Sequence, residues 1–301
     1  MCGIVGYLER SGEGVEVGRI ILQMLEALGS RGPDSAGVAL YAGRPGGELV
    51  LRVKLGEDGH PEAYVARVVE QAAKSRQVLR AEQTAEYLRL VVDTTADPRS
   101  LERAIETVGV GVEVVSMGRQ LEIIKQVGSP QNLEATYAIS DFVGTHGIGH
   151  TRLSTESRID LSHSQPFWAH GHPDLAVVHN GHICNYHKLR RRYEQRGVHF
   201  YTENDSEIIG MYLGERLAEG MSLRESLEAS MRDLDGSFSY LVTTPEEFGF
   251  AKDPFAFKPL LFAQNERFVA VATEEIALRA AIGGEYEVRE AQAGEVRVWQ
   301  R

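Results

Sequence analysis

Cys2 is the residue of this sequence with the clearest capacity for chemistry. Removal of Met1 would leave a nucleophilic thiol and a free α-amine on one residue. An α-amino group titrates at about 7.7–8.0, so a useful fraction is unprotonated at neutral pH and can take the thiol proton. Cys2 is therefore predicted to be a nucleophile. An incidental cysteine is the alternative, and it would be preferred if Cys2 stood alone.

Two segments supply arginines that could position or bind an anion. The segment 31–35 reads Arg-Gly-Pro-Asp-Ser, which is typical of a tight turn with a surface ion pair. Arg152 lies in the segment Gly149-His150-Thr151-Arg152, which leaves a predicted apolar strand. Its guanidinium can bind a carboxylate by charge-assisted hydrogen bonds, and a structural salt bridge is the alternative.

Two further segments suggest groups that bind an oxyanion and a cation. Asn180 and Gly181 are predicted to end a strand over 176–178, where a side-chain amide and a backbone N–H can point at one oxygen. An Asn-Gly pair is otherwise usually a turn. Asp205 precedes a predicted helix that begins near Ser206. Its carboxylate suits a substrate ammonium group, and a helix N-cap is the alternative.

Taken together and in this order, the segments resemble those of the class II glutamine amidotransferases. These are N-terminal-nucleophile hydrolases that release ammonia from glutamine. The resemblance covers essentially the whole chain outside one insertion. The matched segments are Cys2-Gly3-Ile4, 31–35, 149–152, 164–167, 179–181, 204–207, Asp253-Pro254, 258–260 and Glu274-Glu275.

The resemblance implies an α+β fold, an αββα sandwich of the N-terminal-nucleophile hydrolase type. It also implies that Cys2 attacks the side-chain amide of L-glutamine to form a thioester, with its own α-amine as base. Asn180 and the Gly181 N–H would stabilise the oxyanion, and Arg31 would position the N-terminal residue.

A site for the two charged groups of glutamine is also implied. Arg152, helped by Thr155, would bind the α-carboxylate, and Asp205 would bind the α-ammonium. Because this pair suits an α-amino acid, it favours glutamine over another amide as the substrate.

The elements that must position these residues can be predicted from apolar spacing. Strands are expected around 4, 38, 148 and 177, helices over 17–28 and 206–220, and a helix that Ser222 and Glu225 begin with a capping box. The C-terminal third is expected to be mostly sheet. Residues 57–130 are expected to form a small α+β insertion within a single amidotransferase domain over 1–301.

Composition and charge limit which classes of partner and which cellular compartment are expected. The net charge of −11 argues against nucleic acid, and no run approaches the roughly 18 apolar residues that a membrane helix needs. Only two cysteines and no visible leader predict a cytoplasmic protein.

Eight histidines lie between His146 and His187, but their spacing fits no zinc motif, so no metal site is predicted. Cys184 is expected to be a small buried hydrophobic residue.

The resemblance also bears on where the ammonia goes. Amidotransferases of this class are usually fused to a synthase, and this sequence ends just after the predicted sheet. It therefore resembles most the separate amidotransferase subunits of archaeal-type glutamate synthase and of N-methylglutamate synthase. A hetero-oligomer is implied, with FMN and an iron–sulfur cluster in partner subunits and no cofactor in this chain. The 57–130 insertion and the C-terminal strands are candidate docking surfaces.

Two alternatives stay open at this point. One is a different N-terminal-nucleophile amidohydrolase that acts on another amide. The other is a catalytically silent scaffold or regulatory subunit with the same fold, because retention of Met1 would block the α-amine of Cys2.

Overall fold

The computed structural model of the chain describes residues 2–43, 47–93, 97–154 and 158–301. The strands in this part are β1 (Gly3–Glu9), β2 (Ser35–Tyr41), β3 (Leu49–Lys54), β4 (Val78–Thr84), β5 (Tyr87–Val92), β6 (Glu113–Gly118), β7 (Leu121–Val127), β8 (His146–Arg152), β9 (Phe167–Trp168), β10 (Ala176–Ile183), β11 (Gly236–Thr243), β12 (Glu247–Lys252), β13 (Leu261–Gln264), β14 (Phe268–Ala272), β15 (Arg289–Glu290) and β16 (Val296–Gln300). The α-helices are α1 (Val17–Ala27), α2 (Glu62–Ala73), α3 (Pro98–Glu106), α4 (Pro130–Tyr137), α5 (Tyr186–Glu194), α6 (Ser206–Ala218), α7 (Leu223–Asp233) and α8 (Glu275–Ala281).

Two antiparallel sheets stack face to face at the centre. The larger has the strand order β15-β13-β14-β1-β8-β2-β7, and the smaller has the order β16-β12-β11-β10-β9. Gly6 of β1 lies so close to the facing sheet that a Cβ at this position would meet Phe248 at 2.5 Å and Leu241 at 3.2 Å. The sheets can therefore approach at this point only because residue 6 lacks a side chain.

Helices cover the outer faces of both sheets. Helices α1, α4 and α8 pack on the larger sheet, whereas α6 and α7 pack on the smaller one. Helix α1 turns Val17, Ile21 and Leu25 into the core at helical spacing, and these side chains are fully buried. Helix α7 begins with the predicted capping box between Ser222 and Glu225. The layers are therefore α, β, β and α, and the predicted αββα sandwich is confirmed.

The insertion has different limits from those predicted. Strands β3 to β6 form a separate four-stranded sheet in the order β4-β5-β3-β6, so this unit begins at Leu49 rather than at Glu57. Strand β7, which was assigned to the insertion, pairs instead with β2 in the larger sheet, with Tyr41 opposite Leu121. The insertion shares one buried apolar cluster with the sandwich and so packs as part of the same body.

No helix in the described part of the chain has both the length and the apolar character needed to cross a membrane.

Candidate active site

The start of β1, the ends of β8 and β10, and the loop before α6 meet around one cavity of about 440 Å³. Five residues predicted for the site line it: Cys2, Arg152, Asn180, Gly181 and Asp205. Arg31 is not among the lining residues, but it donates a hydrogen bond to the Cys2 carbonyl oxygen. Thr155, the remaining predicted residue, lies outside the described residues.

The backbone carbonyl of Cys2 is held from two sides. Asn180 donates from Nδ2 and Arg31 donates from Nε, each at 3.2 Å from this oxygen. The Arg31 guanidinium is itself fixed by an ion pair with Glu274. The thiol of Cys2 lies 3.9 Å from the carbonyl oxygen of Leu153, a weak contact. Residue 2 is thus anchored through its main-chain carbonyl group, and it lines the cavity.

Asn180 and Gly181 lie within a strand and not at its end. Strand β10 continues to Ile183, with Asn180 opposite Ser239 and Gly181 opposite Phe238 in β11. The prediction that the triplet ends the strand was wrong because this ladder continues as far as Gly236. Gly181 has φ +143°, and a Cβ here would lie 2.2 Å from the Ser237 carbonyl oxygen. Only glycine therefore fits this position, which keeps the main chain beside Asn180 bare.

Asp205 is a carboxylate held at the edge of the cavity. Its Oδ2 accepts a hydrogen bond from the Ile183 N–H at 2.7 Å, and its Oδ1 lies 3.5 Å from His179 Nδ1. Although Asp205 occupies the N-cap position of α6, its side chain makes no capping hydrogen bond. Burial favours the neutral acid, but His179 and the Ile183 N–H outweigh it, so the pKa of Asp205 lies below its ordinary value. The carboxylate is ionised and faces the cavity rather than the helix.

Arg152 is buried beside the thiol, and the turn at 31–35 supports it. Its Nη1 donates to the Arg158 carbonyl oxygen at 3.0 Å. Burial lowers the pKa of Arg152, and nearby Cys2 and Asp34 oppose that shift, so the guanidinium remains a cation. Gly32 lets the turn touch β8, because a Cβ at this residue would lie 2.5 Å from the Arg152 nitrogen. The cavity thus carries a cation and an anion on separate segments.

Comparison with known proteins supports a single family. The family model described as "Glutamine amidotransferase domain" matches residues 150–280. A protein of Methanothermobacter thermautotrophicus named "Putative glutamine amidotransferase" is 39% identical over 306 residues, which is 100% of both chains. The glutamine amidotransferase-like protein GlxB of Rhizobium meliloti is 34% identical over 279 residues, covering 92% of this chain and 91% of its own. This chain belongs to the glutamine amidotransferase family.

The fold is also similar to that of larger proteins whose structures have been solved. Glutamine phosphoribosylpyrophosphate amidotransferase from B. subtilis matches with a TM-score of 0.63 and 20% identity. A structure described as the allosteric regulatory enzyme of purine biosynthesis matches with a TM-score of 0.65 and 20% identity. Each match covers 99% of this amidotransferase but only 47% and 46% of the other chain, so this chain spans about half their length. At this identity the likeness concerns the fold alone.

Three residues support the site of the amidotransferase without a role predicted from the sequence: Gln165, His179 and Glu274. The Gln165 amide accepts from the His179 N–H at 2.6 Å and donates to the His179 carbonyl oxygen at 3.0 Å. It therefore replaces a neighbouring strand beside β10. The His179 ring contacts Ser206 Oγ at 2.9 Å, and Glu274 orients Arg31. All three lie inside matched segments, which was the signal available.

The possible metal ligands lie away from the cavity. In the described ranges one group of ligand atoms is close enough to hold a metal ion, and it comprises Glu102, Glu106 and His170. These side chains are engaged in hydrogen bonds: His170 and Tyr201 donate to Glu102, and Tyr201 also donates to Glu106. The absence of a metal from this amidotransferase stays a prediction.

Cys184 departs from its prediction. It is exposed rather than buried, because it follows Ile183 at the end of β10 and the alternation of the strand turns Ile183 inward. It does not line the cavity that contains Cys2.

Proposed function

We propose that this amidotransferase hydrolyses L-glutamine to glutamate and ammonia at Cys2, after removal of Met1, and delivers the ammonia to a partner synthase subunit. One observation carries the proposal. A thiol, an amide donor, a cation and an anion converge on one 440 Å³ cavity from four separate segments of the chain. These are the groups that hydrolysis of the side-chain amide of an α-amino acid requires.

The chemical steps follow from these groups. The α-amine of residue 2 takes the thiol proton, and the sulfur attacks the side-chain amide carbon of glutamine. The Asn180 amide and the Gly181 N–H donate to the resulting oxyanion. The α-ammonium then returns its proton to the leaving nitrogen, so ammonia departs and a thioester remains. Water attacks the thioester, the amine takes the water proton, and glutamate and the thiol are released.

The substrate is oriented by its charged ends. Arg152 binds the α-carboxylate, and Asp205 binds the α-ammonium. Opposite charges at fixed positions hold the amide carbon near the sulfur. The entropy of positioning the two reacting atoms is therefore lost on binding and not in the chemical step. This charge pair favours glutamine over amides that lack an α-amino acid end. Thr155 is proposed to assist Arg152.

The two cysteines of the chain provide a matched test of the nucleophile. Cys2→Ala should abolish glutamate release from glutamine. Cys184→Ala should leave the rate unchanged, because Cys184 lies outside the cavity lining. Intact mass must first establish that Met1 is absent from each protein. Processed wild-type protein with no turnover, alone or with its partners, would instead support a silent scaffold.

The partner is proposed to be a synthase subunit of the glutamate-synthase or N-methylglutamate-synthase type, with flavin and an iron–sulfur cluster bound in partner subunits. Free ammonia is protonated and diluted in bulk water, so transfer is efficient only to an acceptor site that excludes water. Purification from the native host should yield a complex with a flavin absorbance spectrum and fixed stoichiometry. A chain that purifies alone with full, unstimulated glutaminase turnover would contradict this part of the proposal.

A further inference from the structure

Helices α5, α6 and α7 border a cavity of about 510 Å³ that we call the basic groove. Five of its lining side chains are cations, Lys188, Arg192, Arg196, Arg216 and Arg232, and three are carboxylates, Glu215, Asp233 and Asp235. Arg196 and Arg216 pair with Glu215. Lys188, Arg192 and Arg232 are exposed, and none of them forms an ion pair with a carboxylate within the described ranges. The groove therefore carries two more cations than carboxylates, and three of its cations form no ion pair within the described ranges.

Such a cluster is unusual in this chain, whose 43 acidic residues outnumber its 32 basic ones. The excess positive charge of the groove is neutralised when carboxylates of a ligand enter it. Charge complementarity between a basic patch and an acidic surface raises association rates and suppresses wrong partners. The groove thus fits acidic side chains.

The basic groove lies directly beside the Cys2 cavity. Asn185 and Lys188 line the groove, whereas Tyr186 and His187, between them in sequence, line the Cys2 cavity. Only the first turn of α5 separates the two. A partner that binds in the groove therefore also borders the Cys2 cavity, in which the proposed function releases ammonia.

An exposed aromatic pair lies next to the Cys2 cavity in the sequence. Phe255 and Phe257 are 66% and 75% exposed, and their stacked rings lie 6.1 Å apart. They immediately precede Lys258, which lines the Cys2 cavity. Exposed aromatic side chains of this kind supply the anchors of protein interfaces.

The aromatic pair is held by a rigid support. The buried Asp253 accepts hydrogen bonds from the N–H groups of Phe255 at 2.7 Å and Ala256 at 3.1 Å through Oδ1, and from Phe238 at 3.0 Å through Oδ2. Ala256 is kept at φ +54°, which is unfavourable for a residue with a side chain. The rings thus face outward on a segment whose main chain is fixed.

We propose that the ammonia-consuming partner docks over the mouth of the Cys2 cavity, with acidic side chains in the basic groove and an apolar recess over Phe255 and Phe257. This inference rests on the proposed function. A second copy of the chain fits less well, because a symmetric contact would set one basic groove against another. The surface differs from the insertion and the C-terminal strands that the sequence suggested.

The groove is tested by charge reversal in the complex purified from the native host. The separated partner is titrated with the wild-type chain and with Lys188→Glu/Arg192→Glu. The control Arg19→Glu/Lys74→Glu changes the net charge equally at exposed positions on α1 and beside α2. We expect the groove variant to raise the Kd by about 10- to 100-fold, mainly through slower association, and to weaken the salt dependence of binding. The control should bind as the wild type does.

The aromatic pair is tested in the same titration. Phe255→Ser/Phe257→Ser should raise the Kd by about 30-fold or more, as loss of an interface anchor does. Val110→Ser, at a residue of the insertion that is 89% exposed, should leave it unchanged. Every variant should keep the wild-type glutaminase rate when free of the partner, because none of the substituted residues lines the Cys2 cavity.

Three results would overturn the docking surface. One is a Kd that neither variant changes. Another is a Kd that the controls change as much. The third is light scattering that shows a homodimer which the groove variant dissociates, since this assigns the surface to a second copy. Each is distinguishable from failure of the proposed function, which would appear as a processed wild-type protein without glutaminase activity or as a Cys2→Ala variant that keeps it.

Discussion

Replacing Asp205 by asparagine removes one negative charge from the Cys2 cavity and keeps an oxygen that can accept the Ile183 hydrogen bond. The side chain is 15% exposed, so solvent screens it little. Because the pKa of Asp205 is lowered, the carboxylate stays ionised through the neutral range, where the α-amine of glutamine is protonated. A hydrogen bond to a charged group contributes about 1.5–3 kcal/mol. The KM for glutamine should therefore rise roughly 10- to 150-fold at nearly constant kcat.

The assay is steady-state release of ammonia, which both substrates yield, and a second substrate isolates the charge pair. 5-Amino-5-oxopentanoate is glutamine without its α-amino group. The KM of the wild-type enzyme for this analogue should exceed its KM for glutamine by about the same factor. Asp205→Asn should raise the KM for the analogue no further, since the interaction can be removed only once. Glu203→Gln is the control. Glu203 also lines the cavity but its side chain is 83% exposed, so its KM effect should stay below about 3-fold.

A fall in kcat with an unchanged KM would refute the assignment of Asp205 to the α-ammonium. A Glu203→Gln variant with an equal rise in KM would also refute it. The effect would then come from the total charge of the cavity and not from a contact between Asp205 and the α-ammonium. Urea unfolding of both variants separates either outcome from a loss of the fold.

Further predictions concern the nucleophile, the oxyanion, the carboxylate and pH. 6-Diazo-5-oxo-L-norleucine should label the processed protein once, on Cys2, by peptide mapping; an adduct on any other residue contradicts the nucleophile. Asn180→Ala should lower kcat about 10²- to 10³-fold in the glutaminase assay, and an effect on KM alone would remove it from the oxyanion site. Arg152→Ala should raise the KM for glutamine roughly 10- to 150-fold, measured beside its unfolding free energy. Burial, with Arg152 and His179 nearby, lowers the pKa of His150 to about 3, so the neutral ring is protonated mainly on unfolding. Its contribution to stability is complete above the unfolded pKa and is lost as pH falls from about 6.5 towards 3. Between pH 7.5 and pH 5, the free energy of urea unfolding should fall by about 2 kcal/mol less in His150→Leu than in the wild type.

The site could be predicted largely because its residues lie in short matched segments whose order is fixed along the chain. Cys2, Arg152, Asn180 and Asp205 are separated by up to 203 positions, yet all line one cavity. Geometry then decides what residue type alone left open. An aspartate before a helix is usually a cap, but the Asp205 side chain bonds the end of β10 instead of its own helix.

The limits of the insertion could not be predicted, because strand pairing is a long-range property. The runs at β3 and β7 are similar apolar segments, and nothing in their spacing shows that one pairs with β5 and the other with β2. Strand β4 was missed for a different reason. Most of its residues are exposed and polar, as in Arg80, Glu82 and Gln83, so it has no apolar alternation.

The basic groove shows the same limit for charge. Residues 190–192 are three consecutive arginines, but they have different environments. Arg190 bonds Glu194, the Tyr186 hydroxyl and the Thr202 carbonyl oxygen, so its charge is used within the fold. Arg192 lines the groove with Arg232, which is 40 positions later and belongs to another helix. A net charge of −11 therefore excludes a generally basic protein but cannot reveal a local basic surface. Whether a cation is available to a partner depends on which side chains the tertiary fold brings to it.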